Sequence, residues 1–226
     1  MKIIILTLSE NTIPLYIEFQ KLQEETWDSI KVENVDNFYF FGGEKNEIVG
    51  NKIMTNFPSD IEHCLHRTLK CIELLNDNNI DYDFIFRTNS SSYVDKELLY
   101  DFVLNLPLNG VYGGHIGKYE GISYVSGSGI LMSKDLCELL ILNKNNLDYS
   151  YIDDATIGKF FQENGINILP ISRINIHPNI IIDCLDESHF FEIPKNRILY
   201  RLKNNDRNFD LKSMINIYNI KYANKK

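Results

Sequence analysis

Two adjacent carboxylates, Asp153 and Asp154, are the residues best suited to proton transfer in this chain of 226 residues. They open a helix that the sequence pattern predicts over residues 153–164. Carboxylates favour helix N-termini, because exposed backbone N–H groups and the helix dipole stabilise negative charge there, so both side chains are candidate caps. A carboxylate that faces a cleft can also act as a general base. One of the pair suffices for that role, and the other would then cap the helix.

Residues 186–226 form a basic C-terminal segment that suits a small anionic ligand. The segment carries a formal charge of +4, whereas the whole chain carries −8. An acidic protein attracts nucleic-acid phosphates poorly, which argues against a nucleic-acid partner. Arg201, Lys203 and Arg207 lie close together in this segment. An ordinary solvated basic helix is the alternative explanation for them.

The histidines are scattered along the sequence. His177 follows a short predicted strand and precedes Pro178, which makes it a candidate metal ligand. His63 and His66 fall on the polar face of a predicted helix, where we expect them to be exposed to solvent. The phosphate-binding patterns G-x-G-x-x-G and G-x-x-x-x-G-K-[ST] do not occur in the sequence, nor does the hydrolase pattern G-x-S-x-G. Their absence argues against a dinucleotide oxidoreductase, a P-loop NTPase and a Ser/His/Asp hydrolase.

The elements that must position these residues alternate between strand and helix. A polar turn, Thr88 to Ser92, follows a strand at residues 82–87, and such turns are where α/β sheets place ligands. The order predicts one α/β domain over residues 1–226, with a mixed, mostly parallel central sheet flanked by helices. The other predicted strands cover residues 2–8, 38–41, 110–116, 124–132 (interrupted at Gly127 and Gly129), 166–171, 174–176 and 180–182. The other predicted helices cover residues 13–27, a stretch entered at Pro58, 96–106 and 134–142.

Hydropathy predicts no membrane anchor. The apolar N-terminus reaches polar residues by Ser9, which is too soon for a signal peptide. The uncharged stretch at residues 121–133 is too short to span a bilayer. We therefore expect a cytoplasmic protein without an integral membrane segment.

Six segments occur in an order and spacing that are similar to those of one family. They are residues 23–27 (QEETW), 38–42 (FYFFG), 56–59 with 65–70 (NFPS and LHRTLK), 84–95 (FIFRTNSSSYVD), 124–133 (YVSGSGILMS) and 153–158 (DDATIG). Together they resemble the superfamily that contains Fringe and the β-1,3-galactosyltransferases. The resemblance implies a GT-A fold and a nucleotide-sugar donor.

The resemblance breaks at the metal site. The D-x-D motif of that family falls on Asn89, Ser90 and Ser91, so the carboxylates that hold Mn²⁺ against the donor diphosphate are missing. Amide and hydroxyl oxygens accept hydrogen bonds, but they do not supply the anionic charge that a hard divalent cation needs. Dependence on Mn²⁺ or Mg²⁺ is therefore left open. His177 falls roughly where the family has a late metal-binding histidine.

The resemblance also assigns the site residues. It gives the general base to the Asp-Asp segment, with Asp154 preferred and Asp153 as the alternative, and direct displacement would invert the anomeric centre. The leaving diphosphate needs positive charge, which basic side chains can supply in place of a metal. The expected donor-binding residues are Thr7, Arg87, Thr88, Asn89, Ser91, Arg201, Lys203 and Arg207. The expected residues for the sugar and the acceptor are Ser126, Gly127, Ser128 and Gly129, whose glycines allow close approach.

These inferences predict a hexosyltransferase that moves a sugar from a nucleotide-diphosphate donor, a UDP-sugar by preference, to a glycan hydroxyl. Two alternatives are of other classes. One is a degenerate GT-A domain that binds nucleotide or glycan without turnover. The other is a nucleotidyltransferase, which would normally require a pair of metal-binding acids at a strand end.

Overall fold

The computed structural model describes residues 1–222, which form two sheets and the helices packed on them. Lys225 and Lys226 of the predicted basic segment lie outside the described residues. The strands are β1 (Ile3–Leu8), β2 (Val35–Gly42), β3 (Glu47–Val49), β4 (Lys52–Thr55), β5 (Phe84–Asn89), β6 (Ser92–Val94), β7 (Tyr112–Tyr119), β8 (Ile122–Ser133), β9 (Ile168–Pro170), β10 (Arg173–His177), β11 (Ile180–Asp183), β12 (His189–Phe190) and β13 (Leu199–Arg201). The α-helices are α1 (Pro14–Glu25), α2 (Cys64–Asp77), α3 (Lys96–Val103), α4 (Lys134–Leu142), α5 (Asp153–Glu163) and α6 (Arg207–Tyr222).

The larger sheet is mixed, as the sequence predicts. Its eight strands follow the order β3-β4-β2-β1-β5-β8-β7-β9. β1 runs parallel to both β2 and β5, so the carboxyl ends of these three strands meet at one edge. β8 runs antiparallel to β5, with Gly129 opposite Thr88. The middle of β8 therefore lies beside the carboxyl end of β5.

The smaller sheet brings the C-terminal part of the chain to the same edge. Its five strands follow the order β12-β11-β10-β13-β6. β6 begins only two residues after β5 ends, and Arg201 of β13 pairs with Ser92 of β6. The predicted polar turn from Thr88 to Ser92 is therefore wrong at both ends, because Thr88 and Asn89 complete β5 and Ser92 opens β6.

Two more boundaries differ from the prediction. α2 begins at Cys64 rather than at Pro58, because the Asp60 carboxylate accepts a hydrogen bond from the His63 backbone N–H (2.9 Å) and holds the chain in a turn. β8 runs without interruption from Ile122 to Ser133. Its glycines do not break the strand, because they admit neighbouring side chains that approach the sheet closely.

The large sheet has a hydrophobic core on each face. Alternate residues of β1 point to opposite faces, as the two-residue period of a strand requires. Ile3 and Ile5 pack with α1, α3, α6 and the smaller sheet, whereas Ile4 and Leu6 pack with α2, α4 and α5. The two cores fix helices against the strands whose ends carry the candidate site. No helix within residues 1–222 has the length and apolar character needed to cross a membrane.

The first prediction concerns the close packing of α5 against β8 at Gly158. A Cβ added to Gly158 would lie 2.3 Å from the Tyr124 Cβ and 2.9 Å from the Ser123 carbonyl oxygen. Alanine normally favours a helix over glycine by about 1 kcal/mol, but these contacts involve atoms fixed to the β8 backbone and cannot rotate away. We expect Gly158→Ala to lower the free energy of unfolding by about 1–3 kcal/mol in urea denaturation. Glu163→Ala, at an exposed position of the same helix, is the control. A stabilised Gly158→Ala variant would contradict the prediction.

Candidate functional site

A cavity of about 330 Å³ lies at the edge where β1 and β5 end. Open α/β sheets bind ligands outside the carboxyl ends of such strands. Leu8, Ser9 and Glu10 line it from the end of β1, and Asn89 to Ser91 line it from the end of β5. The remaining walls come from the start of α1, from residues 59–61, from α2, and from the end of β13 and the residues after it, and they include Cys64, Arg67, Arg201 and Lys203.

The Asn89 to Ser91 connection is held firmly in place. The amide nitrogen of Gln23 on α1 donates to the carbonyl oxygens of Asn89 (3.3 Å), Ser90 (3.3 Å) and Ser92 (2.9 Å). The Asn89 side-chain oxygen accepts the backbone N–H of Ser91 (3.0 Å), and the Ser90 N–H donates to the Leu8 carbonyl (3.1 Å). Since these polar groups are used internally, the connection forms a fixed floor for the cavity.

Three basic residues of the C-terminal segment, Arg201, Lys203 and Arg207, lie near this floor and differ in the contacts that they make. Arg207 is committed to protein contacts, because it forms an ion pair with Asp210, donates to the Ser91 hydroxyl (2.9 Å) and stacks on Phe19. Arg201 is half-buried, and within residues 1–222 its guanidinium has neither an ion pair nor a hydrogen bond. Burial, reinforced by the nearby charge of Arg173, lowers the pKa of Arg201. Arg201 is therefore a partly desolvated cation that lines the cavity and has no anion in contact within residues 1–222.

Lys203 adds a second cation at the same wall. Its side chain is exposed and lines the cavity beside Arg201. A point charge on a flexible stem can follow an anionic ligand, whereas a guanidinium fixes two hydrogen bonds at once. The pair suits a doubly charged group such as a diphosphate.

Four of the predicted donor-binding residues do not line the cavity: Arg207, described above, and three others. Thr7 is fully buried and donates to Asn37 (2.8 Å), and Thr88 is fully buried and donates to the Ser128 carbonyl (2.6 Å). Arg87 is also buried, and it donates to the Gly127 carbonyl (2.7 Å) and to the Asp153 carboxylate (2.5 Å). These residues support the floor from below, because their hydrogen bonds hold β5 to β8 and α5.

The two carboxylates at the start of α5 have different surroundings. Asp153 neutralises Arg87 in a largely buried ion pair. Asp154 has no ion pair with a basic residue of the described part of the chain, and it accepts the backbone N–H groups of Gly127 (2.9 Å) and Ala155 (3.0 Å). Burial, and then the charge of Asp153, raise the pKa of Asp154. Its charge also acts on Arg201. Asp154 is therefore a carboxylate whose affinity for a proton is raised.

The predicted acceptor residues are engaged by another side chain. Arg173 on β10 donates to the hydroxyls of Ser126 (2.9 Å) and Ser128 (3.1 Å). A Cβ on Gly127 would lie 2.4 Å from the Arg87 guanidinium, and one on Gly129 would lie 2.6 Å from Leu199. The serines therefore bind the protein rather than an open cleft, and the glycines make room for neighbouring side chains.

Sequence reasoning missed two buried arginines, Arg67 and Arg173. Arg67 donates to the Asp60 carbonyl (2.7 Å), and its Nε is buried without a partner among residues 1–222. It lies three residues after Cys64 on the buried face of α2, so a basic residue at an apolar helical position was the available signal. Arg173 is the first residue of β10, which belongs to a region of short strands. No pattern in the sequence around Arg173 indicates a buried basic residue.

The residues present do not fit a divalent cation. His177 contacts Asn204 (2.7 Å) and lines a separate cavity of about 660 Å³ between the smaller sheet and α6. No three His, Cys, Asp or Glu side chains converge as ligands anywhere in residues 1–222. Asn89 occupies the first position of the D-x-D motif, and its side-chain oxygen already accepts a hydrogen bond from Ser91. Two cations, Arg201 and Lys203, line the same cavity as Asn89.

The expected exposure of His63 and His66 is also wrong. Both are half-buried. The His63 ring contacts the Asp60 carboxylate (2.6 Å), and the His66 ring stacks on Tyr149 with the ring centres 4.4 Å apart. The loop before α5 covers this part of α2, which the periodicity of α2 alone could not indicate.

Comparisons with known proteins show which fold the chain has. No family model matches the chain, and no curated protein matches its sequence. Among solved structures, a glycosyltransferase involved in the glycosylation of the major capsid of PBCV-1 is 13% identical, with a TM-score of 0.56, over 95% of this chain and 99% of that one. The galactosyltransferase LgtC, in complex with donor and acceptor sugar analogues, is 12% identical, with a TM-score of 0.49, over 97% of this chain and 96% of that one.

The chain therefore has the mixed α/β fold of the GT-A glycosyltransferases, with a central sheet flanked by helices, as the sequence resemblance implied. A third structure, the glycosyltransferase GlyE of Streptococcus pneumoniae TIGR4, is 10% identical, with a TM-score of 0.49, over 100% of this chain and 65% of that one. The specific likeness to Fringe stays a prediction.

Proposed function

We propose that this protein is a glycosyltransferase that moves a hexose from a nucleotide-diphosphate donor, a UDP-sugar by preference, to a glycan hydroxyl without a divalent metal. The observation that carries the proposal is the half-buried Arg201, which has no ion pair or hydrogen bond of its side chain within residues 1–222 and lines a cavity on the carboxyl edge of a GT-A sheet. A desolvated cation is costly unless an anion accompanies it. The diphosphate of a nucleotide sugar would supply that anion.

The basic side chains would replace the metal in stabilising the leaving group. As the bond between the anomeric carbon and the diphosphate breaks, the electron pair stays on the diphosphate and its negative charge grows. Arg201 and Lys203 would stabilise that charge through charge-assisted hydrogen bonds. Because Asn89 and Ser91 belong to a rigid floor, the donor would enter a cavity that needs little rearrangement.

Asp154 would serve as the general base. The acceptor hydroxyl would give its proton to Asp154 while its oxygen forms a bond to the anomeric carbon, on the face opposite the leaving diphosphate. This displacement inverts the anomeric centre. The raised proton affinity of Asp154 supports the role, since a base must hold the proton it receives. Asp153, neutralised by Arg87, is less suited to it.

A thermal-shift experiment tests the donor. The purified protein would be heated with UDP-, GDP-, dTDP- and CMP-sugars, each with Mn²⁺ and with EDTA. We expect one nucleotide class to raise the Tm by about 5–10 °C at 100 times its Kd, equally in both buffers. A shift confined to Mn²⁺ would contradict the metal-free site, and no shift with any donor would contradict donor binding. Binding without release of the nucleotide in the presence of acceptors would indicate the degenerate GT-A domain.

A further inference from the structure

Four rings form a continuous row on the surface beside the start of α5. His66 stacks on Tyr149, with centroids 4.4 Å apart and ring planes 20° apart. Phe57 lies 5.2 Å from His66 and 6.3 Å from His63. We call these four residues the aromatic row. Tyr149 remains 39% exposed, so the row presents ring surface to solvent.

The aromatic row adjoins the proposed catalytic carboxylates. Tyr149 lies four residues before Asp153 in the sequence. The Thr156 hydroxyl of α5 donates to the carbonyls of Asp148 (3.0 Å) and Tyr151 (3.2 Å), which ties this loop to the helix. His66 lies two residues after Cys64 on α2, so its side chain points to a different side of the helix from Cys64, which lines the donor cavity. Burial raises the pKa of the Cys64 thiol, and the charges of Arg87 and Asp153 also act on it.

A second cavity, of about 380 Å³, opens along the row. Its apolar walls are rings of Phe57, His66 and Tyr149, and its polar walls include Glu73 with Lys70 and Lys144, both of which form ion pairs with Glu73. Pockets that bind small molecules combine apolar rings with a few fixed polar groups in this way. Donors and acceptors lie side by side, which suits a ligand with several hydroxyls better than a strongly charged one.

One buried atom in this cavity lacks a partner. His66 Nδ1 has no hydrogen bond among the described residues, although it is shielded from solvent. Burial, and then the nearby His63, lower the pKa of His66, which favours a neutral ring. A neutral imidazole adds ring surface to the row without adding charge.

We propose that the aromatic row and its cavity form an acceptor subsite that binds a pyranose ring of the acceptor glycan. The apolar C–H face of the sugar would pack on Tyr149, and its hydroxyls would bond Glu73 and Lys144. The proposal rests on the proposed function, because it takes the acceptor to be a glycan. The subsite would hold a sugar of the acceptor beside the loop that leads into α5.

Saturation-transfer NMR without a donor tests the subsite. The probes are the methyl α- and β-glycosides of glucose, galactose and mannose and their disaccharides. We expect at least one of them to receive saturation from the wild type. Tyr149→Ala and Tyr149→Leu should lose that transfer, and Tyr149→Phe should retain it. Phe191→Ala, which removes an exposed ring elsewhere, is the matched control. No transfer in the wild type, or equal transfer in Tyr149→Ala, would overturn the proposal.

Kinetics separate this proposal from the proposed function. With the glycan that binds best as acceptor, Tyr149→Ala should raise its KM about 5–10-fold while kcat and the Tm shift caused by the donor stay unchanged. A normal donor shift with an unchanged acceptor KM would reject only the subsite. Absence of a donor shift in the wild type would reject the proposed function, whereas sugar binding measured by NMR would still report on the subsite.

Discussion

Asp154→Asn should lower kcat for sugar transfer by about 10²–10⁴-fold, the range that a positioned general base contributes. Asparagine has nearly the same shape, and its oxygen can still accept the Gly127 N–H that Asp154 binds in the native protein. It cannot take a proton from the acceptor. We therefore expect the Tm shift caused by the donor to stay within error of the wild-type value while product formation is lost.

The pH profile of the wild type gives a second measurement of the same base. A base works in its deprotonated form, and burial raises the pKa of Asp154 above the ordinary value of 3.8. Activity should be full above this raised pKa and should fall as the pH drops through it. Asp153→Asn is the matched variant: it removes the partner of Arg87 and should reduce stability by about 1–3 kcal/mol in urea denaturation. Wild-type kcat in Asp154→Asn would reject Asp154 as the base.

Arg201→Gln should weaken donor binding by about 10–100-fold, equally with EDTA and with Mn²⁺. A hydrogen bond to a charged group contributes about 1.5–3 kcal/mol, which corresponds to that change in affinity. Because Arg201 has no protein partner within residues 1–222, its removal breaks no ion pair or hydrogen bond of the side chain. The stability of the unliganded variant should therefore equal or exceed that of the wild type.

Isothermal titration with UDP measures this effect directly. Lys212→Gln, at an exposed position of α6, is the control for the loss of one positive charge and should leave the Kd for UDP within about twofold. Arg207→Gln would be a poor comparison, because Arg207 holds Asp210 and Ser91. An unchanged Kd in Arg201→Gln would remove Arg201 from the donor site.

The long elements could be predicted from the sequence because each repeats its own period several times. Residues 134–142 form α4 as predicted, and residues 82–87 belong to β5 with a shift of two residues. β6 and β13 have only three residues each, which is too short for a period to appear. These two strands exist because they pair with each other, and pairing between distant segments leaves no local signal.

The sequence could predict site residues only at the ends of strands, where α/β sheets bind ligands. Asn89 and Ser91 line the cavity because they lie at the end of β5 and just after it. Arg87 was expected to bind the donor, yet it does not line the cavity, because it lies two residues before the end of β5 and its guanidinium bonds to Gly127 and Asp153. The roles of Arg67 and Arg173 depend on partners from other elements, and a single sequence does not indicate such partners.

The short connection between β5 and β6 constrains how this site can change during evolution. Ser90 and Ser91 alone join a strand of the large sheet to a strand of the small one. An insertion or deletion of one residue would shift the register of β6, and it would turn the fully buried Tyr93 towards the opposite face. The length of the connection is therefore fixed by the packing behind it. Descendants of this protein could acquire a new ligand preference here by replacing side chains, whereas changes in length would be eliminated as folding defects.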